Sequence, residues 1–254
     1  MHSLDNKVAV VTGASSGIGR ATALLFARMG AAVVVGARRS HELNLLVDEI
    51  ERAGGRALAV AGDARDESFA QELVRSATNS FGGLDIAFNN VGTLGAMGAT
   101  PEISAEGWHE TLDINLSSAF FGAKHQIPAM LARGSGSLIF TSTFVGHTVG
   151  FPGLAAYAAS KAGLMGLTQA LAVEFGARAI RVNAILPGGT DTPMGQTMTD
   201  SPEALAHIQS LHALKRLAKP EEIAQSVLYL ASDASSFMTG AALLVDGGIS
   251  INRS

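Results

Sequence analysis

The chain has 254 residues, of which 47% are hydrophobic and 16% are charged, and this composition excludes intrinsic disorder. It contains no cysteine, which excludes a disulfide framework and any thiolate-bound metal. Lys and Arg number 18 against 22 Asp and Glu, so the chain lacks the basic surplus typical of nucleic-acid-binding proteins. It also lacks a membrane-length apolar run and the apolar core of a signal peptide. We therefore expect a cytoplasmic protein that binds neither nucleic acid nor membrane.

Short apolar strand patterns alternate with longer helical patterns along the chain. Strands are predicted at 8–11, 32–36, 57–61, 84–88, 137–141, 181–186 and 241–245. Helices are predicted from the first turn to about 29, at 42–53, 67–81, 105–131 and 157–175, and after Pro220. Strands that are apolar along their whole length are covered on both faces, as in a parallel sheet. The pattern predicts an α/β fold with a doubly wound parallel sheet of about seven strands and helices on both faces.

No linker, repeat or low-complexity segment divides the chain, so residues 1–254 are interpreted as a single domain. The least regular segment is 188–213, in which glycines, prolines and small polar residues surround a short helical pattern at about 203–212. A long insertion of this kind is typical of a lid or a binding loop. The alternative is a surface loop without a function.

The first strand leads directly into a glycine-rich turn, TGASSGIG, at residues 12–19. Because Gly13, Gly17 and Gly19 have no side chain, a pyrophosphate could approach the backbone and the N-terminus of the next helix. Glycine alone would be weak evidence, since any strand-to-helix turn can contain it. The position of this turn after the first strand of an alternating α/β pattern, however, favours dinucleotide binding.

Tyr157 and Lys161 lie four residues apart in a predicted helix and therefore share a face. A nearby ammonium lowers the pKa of a phenol, which would suit Tyr157 to proton transfer near neutral pH. Ser142 ends the strand upstream, where its hydroxyl could hydrogen-bond a carbonyl oxygen. A Tyr and a Lys on an ordinary helix surface would be the usual interpretation of this spacing alone. Together with the glycine turn, the three residues indicate general acid/base catalysis.

These motifs resemble those of the short-chain dehydrogenase/reductase family, and the segment 142–161 is similar to its 3-oxoacyl-carrier-protein reductases. Matching motifs are NNVG at 89–92, with Val91 where the family usually has Ala, a helical Asn115, PG at 187–188 and DGG at 246–248. The resemblance covers essentially the whole chain. It implies a Rossmann-type fold, hydride transfer between a nicotinamide cofactor and a carbonyl or secondary alcohol, and a homotetramer.

The resemblance also implies a role for each matching position. Tyr157 would exchange a proton with the substrate oxygen, and Lys161 would lower the pKa of Tyr157 and hold the nicotinamide ribose. Ser142 would orient the substrate oxygen, and Asn115 would hold a water that relays protons. The positions implied to contact the cofactor are Gly13, Ser15, Ser16, Gly17, Ile18, Gly19, Arg38, Arg39, Asp63, Ala64, Asn90, Val91, Gly92, Tyr157, Lys161, Pro187, Gly188, Thr190 and Thr192.

The residues after the second strand bear on the choice of cofactor. Ala37 stands where NAD-using relatives carry Asp, and Arg38 and Arg39 follow it. A guanidinium offers charge and paired donors to a 2′-phosphate, which favours NADP(H). Ser16 stands where some NADP users carry a second basic residue, so NAD(H) remains possible. A solvated loop is the alternative interpretation of the two arginines.

The predicted substrate pocket is mostly apolar and has no Lys or Arg. Its candidate residues are Leu94, Met97, Thr143, Phe144, His147, Val149, Phe151, Met194 and Met198. This lining favours an uncharged substrate, with a 3-oxoacyl thioester and a sugar, polyol, steroid or xenobiotic ketone as alternatives. The seven histidines form no H-x-x-x-H pair, so no metal site is expected. A cofactor-binding redox sensor without turnover is the alternative function.

Overall fold

The computed structural model describes residues 3–253 and contains one seven-stranded sheet in which every pairing is parallel. The strands are β1 Val8–Thr12, β2 Ala32–Ala37, β3 Arg56–Ala61, β4 Ile86–Asn89, β5 Gly136–Thr141, β6 Ile180–Pro187 and β7 Ala242–Val245. Each lies within a few residues of its predicted position. The strand order is β3-β2-β1-β4-β5-β6-β7. The predicted doubly wound parallel sheet is therefore confirmed.

The strand order reverses at β1, which pairs with β2 on one side and β4 on the other. Val10 lies opposite Val34 in β2 and opposite Ala87 in β4. The chain after β1 and the chain after β4 leave the sheet toward opposite faces, which opens a crevice at the carboxyl ends of these strands. Ligands of open parallel sheets bind in this crevice, so the fold places the candidate site there.

Helices cover both faces of the sheet. They are α1 Gly17–Arg28, α2 Ser40–Arg52, α3 Glu67–Phe81, α4 Ala105–Leu112, α5 Ser118–Arg133, α6 Ala155–Phe175, α7 Pro193–Gln196, α8 Pro202–Leu211 and α9 Pro220–Ala231. The side chains of Val33 and Val35 pack with α1, α2 and α9, whereas those of Val10 and Val34 pack with α3, α5 and α6. This alternation follows from the two-residue period of a strand and gives each face its own apolar core.

The helix predicted at 105–131 is interrupted. A π-turn at Asp113–Ser117 separates α4 from α5, and it contains the fully buried Asn115. A π-turn carries one extra residue, and such turns are frequent at functional sites. Beyond the interruption, α5 continues through Pro128 to Arg133, two residues further than predicted. The helical region predicted at 105–131 is therefore confirmed, with a π-turn at the position of Asn115 that the pattern did not predict.

The segment 188–213 is more ordered than its sequence indicates. It contains the short α7 in addition to α8, which begins at residue 202 as the helical pattern predicted. Thr192 caps α7 by accepting the Gly195 N–H at 3.0 Å, and Ser201 caps α8 by accepting the Ala204 N–H at 3.1 Å. Within residues 3–253, no helix is both long and apolar enough to cross a membrane.

Candidate active site

Apart from Tyr157 and Lys161 on α6, the predicted cofactor residues lie at one edge of the sheet. They follow the carboxyl ends of five strands: the glycine turn follows β1, the two arginines β2, Asp63 β3, the NNVG motif β4, and the 187–192 segment β6. Parallel strands end at the same edge, so positions distant in sequence become neighbours here. The structure therefore brings the predicted cofactor set together around the crevice.

The glycine turn has the close backbone packing that its sequence predicted. Gly13 and Gly17 have φ of +66° and +54°, in the left-handed region that other residues rarely adopt. A Cβ at Gly19 would lie 2.4 Å from the carbonyl oxygen of Gly13, and a Cβ at Gly17 would lie 3.0 Å from Thr192 Cγ2. The β6 segment thus meets the turn, and side chains are excluded where a pyrophosphate would approach the backbone.

The N-terminus of α1 presents donors toward the same crevice. Ser16 is the N-cap of α1, but its side chain does not cap the helix. Instead, Arg39 Nη2 donates to Ser16 Oγ at 3.0 Å and to Ser15 Oγ at 2.9 Å. The backbone N–H groups in the first turn of α1 are therefore available to bind an anion, and the Arg39 guanidinium lies beside Ser15 and Ser16.

The adenosine end of the crevice is rich in arginine. Arg38 is exposed, and its charge contributes to lowering the pKa of Asp63, for which the hydrogen bonds from Arg65 are the largest cause. Arg65 Nη2 binds the Asp63 carboxylate at 2.8 Å, a contact that the sequence analysis missed. β2 ends in Gly36 and Ala37, so no carboxylate stands at the end of this strand.

Helix α6 places Tyr157 and Lys161 beside the end of β5. Lys161 is 3% exposed, and its Nζ donates to the carbonyl oxygen of Thr141 at 2.8 Å. Burial lowers the pKa of Lys161 to about 8. Burial also raises the pKa of Tyr157, and a hydrogen bond with Thr143 partly offsets this effect. Lys161 is not among the causes of the shift at Tyr157, so the lowering of the phenol pKa by Lys161 stays a prediction.

The two hydroxyls after β5 have different partners. Ser142 Oγ donates to the backbone carbonyl of Lys161 at 2.8 Å, so its proton points to the backbone of α6. The neighbouring Thr143 accepts the Val145 N–H with its Oγ1 at 3.3 Å, and Thr143 acts against burial to lower the pKa of Tyr157. The sequence analysis had placed Thr143 in the pocket but had assigned the catalytic hydroxyl to Ser142.

Asn115 connects the π-turn to both the β4 loop and α6. Its Oδ1 accepts the Thr93 N–H at 2.8 Å, and its Nδ2 donates to the Thr93 carbonyl and to Ser160 Oγ, each at 2.9 Å. Ser160 Oγ in turn donates to the Tyr157 carbonyl at 2.8 Å. The position of α6 is thus coupled to Asn115, the predicted relay residue, through buried hydrogen bonds.

His212 is a buried residue of this region that the sequence analysis did not single out. Its Nε2 accepts the Gly189 N–H at 3.0 Å, and its Nδ1 is 2.8 Å from the Ile208 carbonyl oxygen. Since the Gly189 N–H can only donate, Nε2 is the acceptor and the proton of the contact with Ile208 is assigned to Nδ1. His212 therefore fixes the end of α8 to the loop after β6. A histidine at the end of a helical pattern gave no sequence signal for this contact.

An apolar cluster forms one wall next to Tyr157. Phe144 and Phe151 meet edge to face with ring centroids 5.9 Å apart, and Leu154 and Ile249 are buried beside them. This arrangement agrees with the apolar lining expected from the sequence.

A parallel sheet with a glycine turn at its switch point and a Tyr–Lys helix beside it defines a dinucleotide-dependent oxidoreductase. The chain belongs to the short-chain dehydrogenase/reductase family, and residues 13–250 match a family model described as enoyl-(acyl carrier protein) reductase. It is 39% identical over 246 residues to the cyclohexanol dehydrogenase of Acinetobacter sp., covering 97% of this chain and 96% of that protein.

Two further relatives are named as enzymes of other reactions. The 3-oxoacyl-[acyl-carrier-protein] reductase of Thermotoga maritima is 39% identical over 249 residues, which is 98% of this chain and 99% of that protein. The crystal structure of a putative NAD(P)-dependent gluconate 5-dehydrogenase from Beutenbergia cavernae, described with bound NADP at low occupancy, superposes with a TM-score of 0.91. It is 38% identical, and the match covers 98% of each chain. The chain is thus similar to enzymes that act on alcohols and ketones.

Proposed function

We propose that the protein interconverts a carbonyl compound and a secondary alcohol by hydride transfer with NADP(H), and that Tyr157 is the general acid/base. The observation that carries the proposal is the pairing on α6 of Tyr157 with a buried Lys161, at the edge of the sheet where the glycine turn lies. Burial is the cause of the lowered pKa of Lys161, and no carboxylate contributes to the shift. Burying an ammonium in this way destabilises the fold and is typical of a functional site.

The residues around the crevice fit a dinucleotide. The glycine turn and the first amides of α1 would hold the pyrophosphate, with Ser15, Ser16 and Ile18 in the same turn. A Cβ at Gly92 would lie 3.0 Å from Lys161 Nζ, so a glycine there leaves room beside the lysine for the nicotinamide ribose. The remaining proposed contacts are Asp63, Ala64, Asn90, Val91, Pro187, Gly188, Thr190 and Thr192.

Preference for NADP(H) is supported by the charges at the end of β2. Arg39 is oriented toward the turn by two serine hydroxyls, and Arg38 is free to reach a 2′-phosphate from the same loop. Arg38→Ala and Arg39→Ala should each weaken NADPH binding by about tenfold or more and leave NADH binding nearly unchanged. An equal loss of affinity for NADPH and NADH would contradict the preference for NADP(H), because the arginines would then contact a part that the two cofactors share.

The bound cofactor supplies or accepts the hydride. In the direction of reduction, Tyr157 donates its proton to the substrate oxygen, and in oxidation it accepts one. Lys161 keeps positive charge beside the phenolate that results, and Asn115 connects this site to a water-mediated relay. Segment 188–213, anchored by His212, would cover the substrate end of the crevice.

An uncharged substrate is supported by the apolar wall formed around Phe144 and Phe151. An alicyclic ketone or alcohol and a 3-oxoacyl thioester are the two classes that the relatives' names favour.

We also propose a homotetramer located in the cytoplasm. Large apolar side chains stand exposed on α5, α6 and near β7: Phe120, Val173, Phe237 and Leu244. Exposed large apolar side chains are typical of subunit interfaces. Sedimentation of the native protein should give about four times the 26.1 kDa of one chain, and a monomer would contradict the proposal.

The reaction is tested by following NADPH consumption with cyclohexanone, an acetoacetyl thioester and a panel of sugar and steroid ketones. Tyr157→Phe should lower turnover by at least about 100-fold and leave NADPH affinity nearly unchanged, because the phenol oxygen is the proton donor. Turnover within about tenfold of the wild-type rate would refute the role of Tyr157. Tight NADPH binding with no turnover across the panel would favour a redox sensor.

A further inference from the structure

We propose that His212 positions the loop that meets the nicotinamide end of the cofactor, an inference that rests on the proposed hydride transfer with NADP(H). His212 is a positioning residue in this assignment, because it acts through the loop and touches neither the cofactor nor the substrate. It lies directly after α8 and is 1% exposed. Its two ring nitrogens and its place between two glycines connect it to the loop after β6.

The loop after β6 lies on the side of the crevice that receives the reacting end of a dinucleotide. In the strand order, the two arginines follow β2, the glycine turn follows β1, and Tyr157 lies in the half of the sheet that contains β5 and β6. A cofactor with its adenosine at the arginines and its pyrophosphate at the glycine turn therefore extends its nicotinamide toward β5 and β6. Thr192 of this loop lies against the same turn, since a Cβ at Gly17 would be 3.0 Å from Thr192 Cγ2. The position of the loop thus bears directly on the nicotinamide end.

Gly189 is the point at which His212 holds this loop. The Gly189 N–H donates to His212 Nε2 at 3.0 Å, and the Gly189 carbonyl accepts the Ala218 N–H at 2.9 Å. Both backbone groups of Gly189 are therefore bound, and the partner of its N–H is a side chain. On the other side of the ring, Nδ1 lies 2.8 Å from the carbonyl oxygen of Ile208 in α8. The imidazole thus joins α8 to the loop with one donor and one acceptor.

The imidazole also fills a slot between two glycines. A Cβ at Gly189 would lie 2.8 Å from His212 Cε1, and a Cβ at Gly247, in the loop after β7, would lie 3.3 Å from His212 Cδ2. A cavity of about 100 Å³ adjoins this slot, and its lining includes Gly188, Gly189 and His212. Because the loop borders this space, close packing alone does not hold it in place. The hydrogen bond from Gly189 to the ring therefore contributes to its position.

Loss of the acceptor would act on cofactor binding through the loop. A buried N–H without a partner is unfavourable, so the loop would move until the Gly189 N–H reaches water. The conformation that meets the nicotinamide would then be only partly populated, and the apparent affinity for the cofactor falls by that fraction. A population of about one tenth gives a Kd about tenfold higher. The adenosine end is not affected, because the arginines and Asp63 lie on the far side of the glycine turn.

Two full-length variants separate the hydrogen bond from the shape of the side chain. His212→Gln places an oxygen near the position of Nε2 and keeps an acceptor for Gly189, whereas the shorter His212→Asn keeps a polar group only near Ile208. In fluorescence titrations, His212→Asn should bind NADPH and NADH about tenfold more weakly, and His212→Gln should bind both within about threefold of the wild-type protein. The adenosine fragments adenosine 2′,5′-bisphosphate and ADP, measured by competition, should change by less than about twofold in either variant. His207→Ala, on the exposed face of α8, is the control and should bind all four ligands normally.

Three departures from this pattern would overturn the assignment. Equal losses in His212→Asn and His212→Gln would show that packing, and not the hydrogen bond, is the cause. Losses of the adenosine fragments as large as those of the whole cofactors would show a general effect on the fold. Unchanged binding of NADPH and NADH by His212→Asn would show that the loop keeps its position without His212.

A measurement without cofactor tests the contact itself. Amide hydrogen exchange at Gly189 should be about tenfold faster in His212→Asn than in the wild-type protein and close to the wild-type rate in His212→Gln. An unchanged rate in His212→Asn would refute the contact and with it the proposal. A wild-type protein that binds NADPH and shows this order of variants, but turns over no ketone, would refute the proposed reaction and support the role of His212.

Discussion

Replacing Lys161 with Met should inactivate the enzyme and yet stabilise the fold near neutral pH. The folded-state pKa of Lys161 is about 8, against 10.5 for the unperturbed group. This difference of about 2.5 corresponds to about 3 kcal/mol by which the charged lysine lowers the free energy of unfolding at about pH 7. Met has a similar shape but leaves the Thr141 carbonyl without its donor, at a cost of about 1–2 kcal/mol. We therefore expect a net gain of about 1–2 kcal/mol, or a Tm higher by about 2–8 °C.

The dependence on pH separates this effect from a change in packing. Between about pH 8 and 10.5 the unfolded chain binds more protons at Lys161 than the folded chain does. The stability of the wild-type protein due to this group therefore rises with pH, and the penalty falls to about 1.4 kcal/mol at about pH 9.5. The advantage of Lys161→Met should shrink by about 2 kcal/mol over this range and should vanish or reverse.

Urea denaturation of both proteins at one concentration, at about pH 7 and at about pH 9.5, gives the two differences. Lys124→Met, which changes an exposed lysine of α5, is the matched control and should alter stability by less than about 0.5 kcal/mol at either pH. A loss of stability at pH 7, or a difference that does not change with pH, would refute the reasoning. NADPH turnover by Lys161→Met should be lower by about 100-fold or more.

Two further substitutions test the glycine turn and the loop after β6. Gly19→Ala should weaken NADPH binding by about tenfold or more in fluorescence titration, because its Cβ would lie 2.4 Å from the Gly13 carbonyl oxygen. Gly166→Ala, which meets no atom within 4 Å, should bind normally, and equal behaviour of the two variants would contradict the prediction. His212→Ala should lower the free energy of unfolding by about 1–3 kcal/mol in urea denaturation, since it leaves a loop N–H without its acceptor. His207→Ala on the exposed face of α8 should change it little, and a comparable loss there would show that the contact of His212 is not the cause.

The fold could be predicted closely because its signals are local. β1 and β2 are nearly continuous apolar runs, which is the composition expected of strands that are buried on both faces. The interruption at Asp113–Ser117 could not be predicted, since it contains neither Gly nor Pro and depends on the distant Thr93 and Ser160. Pro128 lies within α5 without ending it, although it would have been the natural place for a break.

The candidate site was predictable by position but less so by contact. Motif spacing located Tyr157 and Lys161, because four residues make about one helical turn. It could not show that the Ser142 hydroxyl donates to the Lys161 carbonyl, since that contact depends on the direction in which the chain leaves β5. The anchoring of Gly189 by His212 joins elements 23 residues apart and has no local pattern.

The π-turn takes up one residue more than a turn of regular α-helix does. Each residue of an α-helix advances the chain by about 100°, so one extra residue wound at the ordinary pitch would rotate α5 by that angle relative to α4. Because the wider turn absorbs the extra residue, α5 keeps its buried row Ala119, Ala123, Ile127 and Met130 against the sheet. The backbone widens only around Asn115, and the helix on either side of it keeps its facing.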